Sequence, residues 1–142
     1  MIQPSRVFPK DQRDFRSYVR LRLTLVQKRT DIKNKAHSIL TSEMLNLNNA
    51  LTDIFGKNGR MILSGISLGK SVDHIIASLS PNVRKKAAQI RKILDREISQ
   101  SAAFRLQICL KLITSLDDEI EALEKEIVTI QLRENNINSH LY

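Results

Sequence analysis

The run CLKLITSLDDEIEALEKEIVTI, residues 109–130, decides how the rest of this chain is read. Cys109, Ile113, Leu116, Ile120, Leu123, Ile127 and Ile130 follow one another at alternating steps of four and three. That is the heptad period of a coiled-coil seam, not the period of two that a strand needs. Neither Gly nor Pro interrupts residues 98–136, so the stretch predicts one long helix. With Cys109 at position d, Asp117 and Glu124 fall at e and Glu119 and Glu126 at g, and both edges of the seam are negative. Such a helix calls for a partner with basic edges.

Residues 10–44 supply one. Asp11 and Asp14 stand where the first turns of a helix favour carboxylates, and no helix breaker follows before Met44. Tyr18, Leu25, Ile32 and Ile39 take one seam position; Arg22, Arg29 and Ala36 take the other. Arginine inside an apolar stripe is costly unless an anion meets it, and the acidic helix carries anions. The expected pairing is antiparallel, with Arg22 facing Ile130, Arg29 facing Leu123 and Ala36 facing Leu116. In that register Lys28 lies near Glu126, Lys35 near Glu119 and Lys33 toward Asp117, while Arg13, Arg16 and Arg20 face away from the seam. Exposed pairs of this kind stabilise little and act mainly on orientation.

Composition agrees with helices. Aromatic residues make up 4% of the chain and Trp is absent, whereas 42% of residues are hydrophobic, which favours aliphatic helix packing over a β-sandwich. The formal charge is +8. Residues 117–126 hold six acids against Lys125, a net of −5, which leaves +13 for all other residues. Polyanions are therefore the partner class to test, nucleic acid ahead of membrane. No run reaches the roughly 20 apolar residues that span a bilayer and no signal peptide opens the chain, so the expected setting is the cytoplasm. The lone Cys109 cannot form an internal disulfide and reads as a buried structural thiol.

The fold class expected is all-α, a single helical module: two long antiparallel helices forming a coiled-coil stalk with a cluster of short helices between them. Residues 1–9, with Pro4 and Pro9, read as an extended arm; 10–44 as the basic helix; 45–97 as the short-helix cluster; 98–136 as the acidic helix; 137–142 as a fraying polar tail. Within the cluster, one short helix is expected to open at Asn46-Leu47-Asn48-Asn49 and end at Gly56. A second runs from Arg60 to a stop near Gly69, and a third is capped by Ser71. A fourth, from Asn82 to about Leu94, starts after Ser80-Pro81.

Several residue groups invite functional readings. Asp11 and Asp14 form a D-x-x-D pair, but two-metal nuclease sites draw about four carboxylates together, and helix N-terminal acids are the simpler account. Gly56-Lys57-Asn58-Gly59-Arg60 is either a phosphate-cradling GxxG loop, with Lys57 and Arg60 as contacts, or a plain connection between helices. Arg84, Lys85, Lys86, Arg91 and Lys92 crowd five cations into fewer than three turns. No acid lies between Asp73 and Asp95, so polyanion contact competes with a merely solvated face. His37, His74 and His140 lack metal spacing, and no nucleophile elbow is present.

Three phrases, in order, resemble the middle of the DEDD insertion-sequence transposases, the Piv/MooV-like recombinases with a RuvC-like nuclease domain. FRSYVRLR at residues 15–22, running into LVQKRTDIKNKAH at 25–37, is similar to that family's basic helix with its R-x-x-L-K-N-R-x-H phrase, departing at Asp31, Ile32, Lys35 and Ala36. DIFGKNGR at 53–60 resembles its D-I-F-G-K-x-G-R segment, and the acidic heptad helix is the third piece. The resemblance implies a central coiled-coil module that assembles as a homo-oligomer on DNA, with a structured guide RNA. The four catalytic acids and the serine nucleophile would lie in flanking domains. No catalytic residue or cofactor is then expected among the present residues, and a divalent metal would belong to the nuclease domain. The expected nucleic-acid contacts are Arg13, Arg16, Arg20, Lys57, Arg60, Arg84, Lys85, Lys86, Arg91 and Lys92. The alternative is a structural coiled-coil dimerisation protein. An enzyme active in its own right would need Asp11 and Asp14 in catalysis.

Overall fold

In a computed structural model, described here over residues 9–139, the chain is all-helical with no strand among those residues. Helix α1 is Pro9–Ser42, a 3-10 turn covers Leu47–Asn49, and α2 (Lys57–Ser67), α3 (Val72–Ala77), α4 (Pro81–Arg84) and α5 (Ala87–Ile93) precede α6, Gln100–Ser139. The long helices α1 and α6 pack against each other, with the short helices between them in the chain. Pro9 is the first residue of α1, where its missing N–H costs nothing, and not the end of an extended arm. Residues 1–8, on which the rest of that arm was expected, lie outside the described residues. Helix α6 continues to Ser139, so the first half of the expected tail is helical; residues 140–142 lie outside the description.

The chain divides into two compact units, Met1–Thr30 with Thr114–Tyr142, and Asp31–Ile113. In the first, the two helix segments run antiparallel along the aliphatic seam. Ile120 and Ile130 are buried, and Tyr18, Leu25, Leu116, Leu123 and Ile127 are half-buried. The register differs from the expected one. Arg29 Nη1 donates to Asp117 Oδ1 at 2.8 Å and Arg22 Nε to Glu124 Oε1 at 3.4 Å. Asp117 precedes Leu123 by six positions, about 9 Å of helix rise, and Glu124 precedes Ile130 by the same amount. The reason is the one that makes a seam arginine costly: Leu123 and Ile130 offer a guanidinium nothing, whereas the shifted register gives each of two arginines one heptad apart its own carboxylate.

The second unit holds the main core. Ala36, Ile39 and Leu40 of α1 and Ala102, Leu106, Cys109 and Ile113 of α6 are buried, with the α6 positions at steps of four and three. Ile62, Leu63, Ile75, Ile76, Leu79, Ile90 and Leu94 fill the space from the short helices, and Leu45, Leu47, Leu51, Ile54 and Phe55 from the connection. Each fully buried Leu or Ile contributes about 1.5–3 kcal/mol, so this aliphatic cluster replaces the aromatic core the chain lacks. The expected helix from Asn46 to Gly56 is only the 3-10 turn, because the chain must fold Leu47, Leu51 and Ile54 inward within a few residues. The expected Asn82–Leu94 helix breaks at Lys85-Lys86 into α4 and α5. Ser71 does cap α3, its hydroxyl accepting from His74 N at 3.2 Å.

Two helix ends close the same way. After α2, Lys70 N donates to Gly65 O and Gly69 N to Ile66 O, with Gly69 at φ 71. After α1, Leu45 N donates to Leu40 O at 2.9 Å and Met44 N to Thr41 O at 3.0 Å, with Met44 at φ 58. Both are Schellman closures, but at the second the left-handed position is held by an exposed methionine where glycine fits without strain. At the start of α6, Ser99 Oγ accepts from Ala102 N and donates to Glu43 Oε1 at 2.8 Å, fixing this start to the end of α1.

Met44→Gly is expected to raise stability by about 1 kcal/mol, since the strain removed exceeds the entropy added to the unfolded chain; a urea melt checks it, and a loss of stability would contradict the closure described. The register has its own check. A double-mutant cycle on Arg29→Ala and Asp117→Ala is expected to give a coupling of about 1 kcal/mol. The cycle on Arg29→Ala with Leu123→Ala should stay within about 0.3 kcal/mol of zero.

Candidate nucleic-acid interface

In the first unit, Arg13, Arg16 and Arg20 lie at steps of three and four on α1 and are exposed. Among the described residues no side-chain hydrogen bond or ion pair engages any of the three. They form one basic ridge, in contrast to Arg22 and Arg29, which are half-buried against carboxylates.

The second unit sorts its cations more sharply. In the DIFGKNGR segment, Asp53 Oδ1 accepts from Phe55 N at 2.9 Å and Asp53 O from Gly56 N at 3.2 Å, making a tight turn into α2. Gly59 is buried so close to the backbone of Ile54 that a Cβ there would overlap it. Arg60 Nε donates to Phe55 O at 2.7 Å, and Arg60 N closes the first helical bond to Gly56 O. The segment is thus a packed turn whose glycine permits close approach, not an open GxxG cradle. Lys57 alone of its cations is exposed with no partner among the described residues.

The basic run around α4 and α5 is partly compensated, contrary to expectation. Asp73 on α3 reaches Arg91, although eighteen residues separate them in sequence. Lys86 Nζ donates to Ala50 O at 3.0 Å, and Gln89 Nε2 to Asn49 O at 2.7 Å. Arg84, Lys85 and Lys92 are exposed and, among the described residues, unpartnered. Asn58 joins the two basic segments: its Nδ2 donates to Ser80 Oγ and its Oδ1 accepts from Ser80 N, both at 2.9 Å. The N-terminal end of α2, with Lys57, therefore meets the start of α4, one turn before Arg84. Nothing in the sequence marks Asn58, Gln89 or Ala50 as links, since each partner lies 22 or more residues away.

The remaining candidates take structural places. Lys33 Nζ lies 5.5 Å from the centre of the Phe55 ring, and His37 meets the same ring edge-on at 5.3 Å. Asp14 is half-buried on α1, and His74 is exposed; the side chains of Asp11 and His140 lie outside the description. Among the described residues no three His, Cys, Asp or Glu side chains come together as a metal-holding group, and no helix is long and apolar enough to cross a membrane. Cys109 is buried on the inner face of α6, and burial pushes its thiol up from the ordinary value, outweighing the opposite pull of Lys35 and Arg105.

No protein-family model matches this chain, and no curated protein or solved structure matches it at a significant level.

A raised thiol pKa means that the folded state keeps its proton after the unfolded chain has lost it. The stabilisation present below pH 9.0 should therefore decline as pH rises beyond it. At pH 8 Cys109 is expected to react with a disulfide reagent at least about 100-fold faster in urea than in the native protein; equal rates would show an accessible thiolate.

Proposed function

We propose that this chain is a catalytically silent central module of a DEDD-type insertion-sequence transposase, contributing nucleic-acid binding and assembly to DNA transposition in the cytoplasm. One observation carries the nucleic-acid part: the exposed arginines and lysines left over after the fold's own hydrogen bonds and ion pairs are made. These are Arg13, Arg16 and Arg20 on one ridge and Lys57, Arg84, Lys85 and Lys92 in the other unit. Cations of that kind hold phosphates without reading bases. Arg60, Lys86 and Arg91 keep their charge but are already engaged, so they rank below the others as contacts. The transposase part is supported by the ordered basic-helix, DIFGKNGR and acidic-heptad phrases. DNA or a structured guide RNA is the partner that goes with this reading.

A second reading, a coiled-coil dimerisation protein, is favoured by a separate observation. Phe104, Ile108 and Leu112 stand exposed at steps of four on α6, an apolar stripe that pairing between copies would cover. Homo-oligomerisation is compatible with both readings.

If about five phosphates are met, affinity for nucleic acid is expected to fall several hundred-fold between about 50 and 200 mM salt, a log–log slope near −4.5. Fluorescence anisotropy over that range, beside light scattering for the mass, separates the two. A concentration-dependent dimer with no salt-sensitive binding would favour the second reading and remove the first.

A further inference from the structure

Resting on the nucleic-acid reading, we propose that the second unit carries a surface made for the backbone of a double-stranded nucleic acid, with Lys57, Arg84, Lys85 and Lys92 as its phosphate contacts. Three observations converge on it. The first is how the surface is assembled: the paired Asn58–Ser80 hydrogen bonds set Lys57 beside the turn that leads to Arg84, and Lys86 on the carbonyl of Ala50 holds the chain where Lys85 emerges. Lys85 is exposed in the turn just before α5, and on α5 Ala88 and Lys92 are exposed at a step of four while Ile90 is buried. The small Ala88 between two lysines leaves room for a sugar–phosphate chain to lie close.

The second observation is the division of labour among the charges. Arg91 and Lys86 are bound to Asp73 and Ala50, whereas none of the four proposed contacts has a partner among the described residues. An ammonium or guanidinium held only by water is free to exchange that water for a phosphate oxygen, and the release of counterions drives the exchange.

The third observation selects the duplex. From residue 56 to 103, the span that carries all four cations, the chain has no Phe, Tyr or Trp; Phe55 is buried under Lys33 and His37, and the exposed Phe104 stands on α6, outside that span. Single strands are held by stacking their bases on aromatic rings, worth about 1–3 kcal/mol per base, and this surface offers no such ring. Phosphate contact is all it can provide. The denser charge of a duplex, one phosphate per ~1.7 Å of axis, makes that contact strongest there.

The test is competition among a duplex of about 20 base pairs, in DNA and RNA forms, and their separate strands, at one salt concentration. The expected result is that at least one duplex binds about tenfold or more tighter than its strands. The combined variant Lys57→Gln, Arg84→Gln, Lys85→Gln, Lys92→Gln should lose duplex affinity about 100-fold and flatten the salt slope by about 3.6. Its circular dichroism and melting temperature are expected to stay at the parent values, because all four side chains are exposed. Arg13→Gln, Arg16→Gln, Arg20→Gln is expected to weaken duplex and single strands by the same factor, leaving the ratio between them at the parent value. Tighter binding of single strands, or a folded four-site variant that binds duplex like the parent, would overturn this inference while nucleic-acid binding itself stands. Failure to bind any of the probes would instead remove the reading on which it rests.

Discussion

A guanidinium in an aliphatic helix seam must find a carboxylate, and in this protein that requirement sets the pairing of the first unit. Arg22 and Arg29 are one heptad apart on α1, and Glu124 and Asp117 are one heptad apart on α6. Only an antiparallel alignment satisfies both at once. Apolar contact along a seam of mostly Leu and Ile is recovered when the helices slide by a whole heptad, so burial alone leaves the register weakly specified. Unpaired charge at a half-buried position does not tolerate such a slide, and the two arginines act as the stops. Their contribution lies in specificity more than in stability, since both pairs retain contact with water.

The second unit meets a different constraint, which is to build a core from short pieces and almost no aromatic residues. Close approach is how it does so. Gly59 lets α2 start directly on the backbone of Ile54, and Gly65 lies where a side chain would overlap Ile75 of α3. Ala36 and Ala102, both fully buried, serve α1 and α6 in the same manner. Small residues at these places allow Leu and Ile from six segments to share one cluster at high packing density. The polar links between loops, from Asn58, Gln89, Lys86 and Gln107, are then held in one arrangement.

That arrangement separates the cations by role. Those near a carbonyl or carboxylate that the fold brings within reach become part of the structure, as Arg60, Lys86 and Arg91 have. Lys57, Arg84, Lys85 and Lys92 are exposed with no such partner among the described residues. A chain with a net charge of +8 and 27% charged residues has enough of both kinds, and its acids are concentrated in one segment of α6. Positive charge is consequently left exposed and uncompensated, where a polyanion can meet it.

Heptad spacing in residues 109–130, the absence of breakers across two long stretches, and the segregation of acids from bases determined by themselves that this protein is helical and that its long helices pair antiparallel. Those features are local or periodic, so one sequence displays them. The register, the break between α4 and α5, the collapse of the expected Asn46–Gly56 helix into a single 3-10 turn, and the Asp73–Arg91 pair were decided only by tertiary structure. Each depends on which of several chemically similar partners comes within about 3 Å once the aliphatic core has closed. Periodicity says which face of a helix is buried. It carries no information about how far one helix slides along another, or about which carbonyl a lysine tip will find.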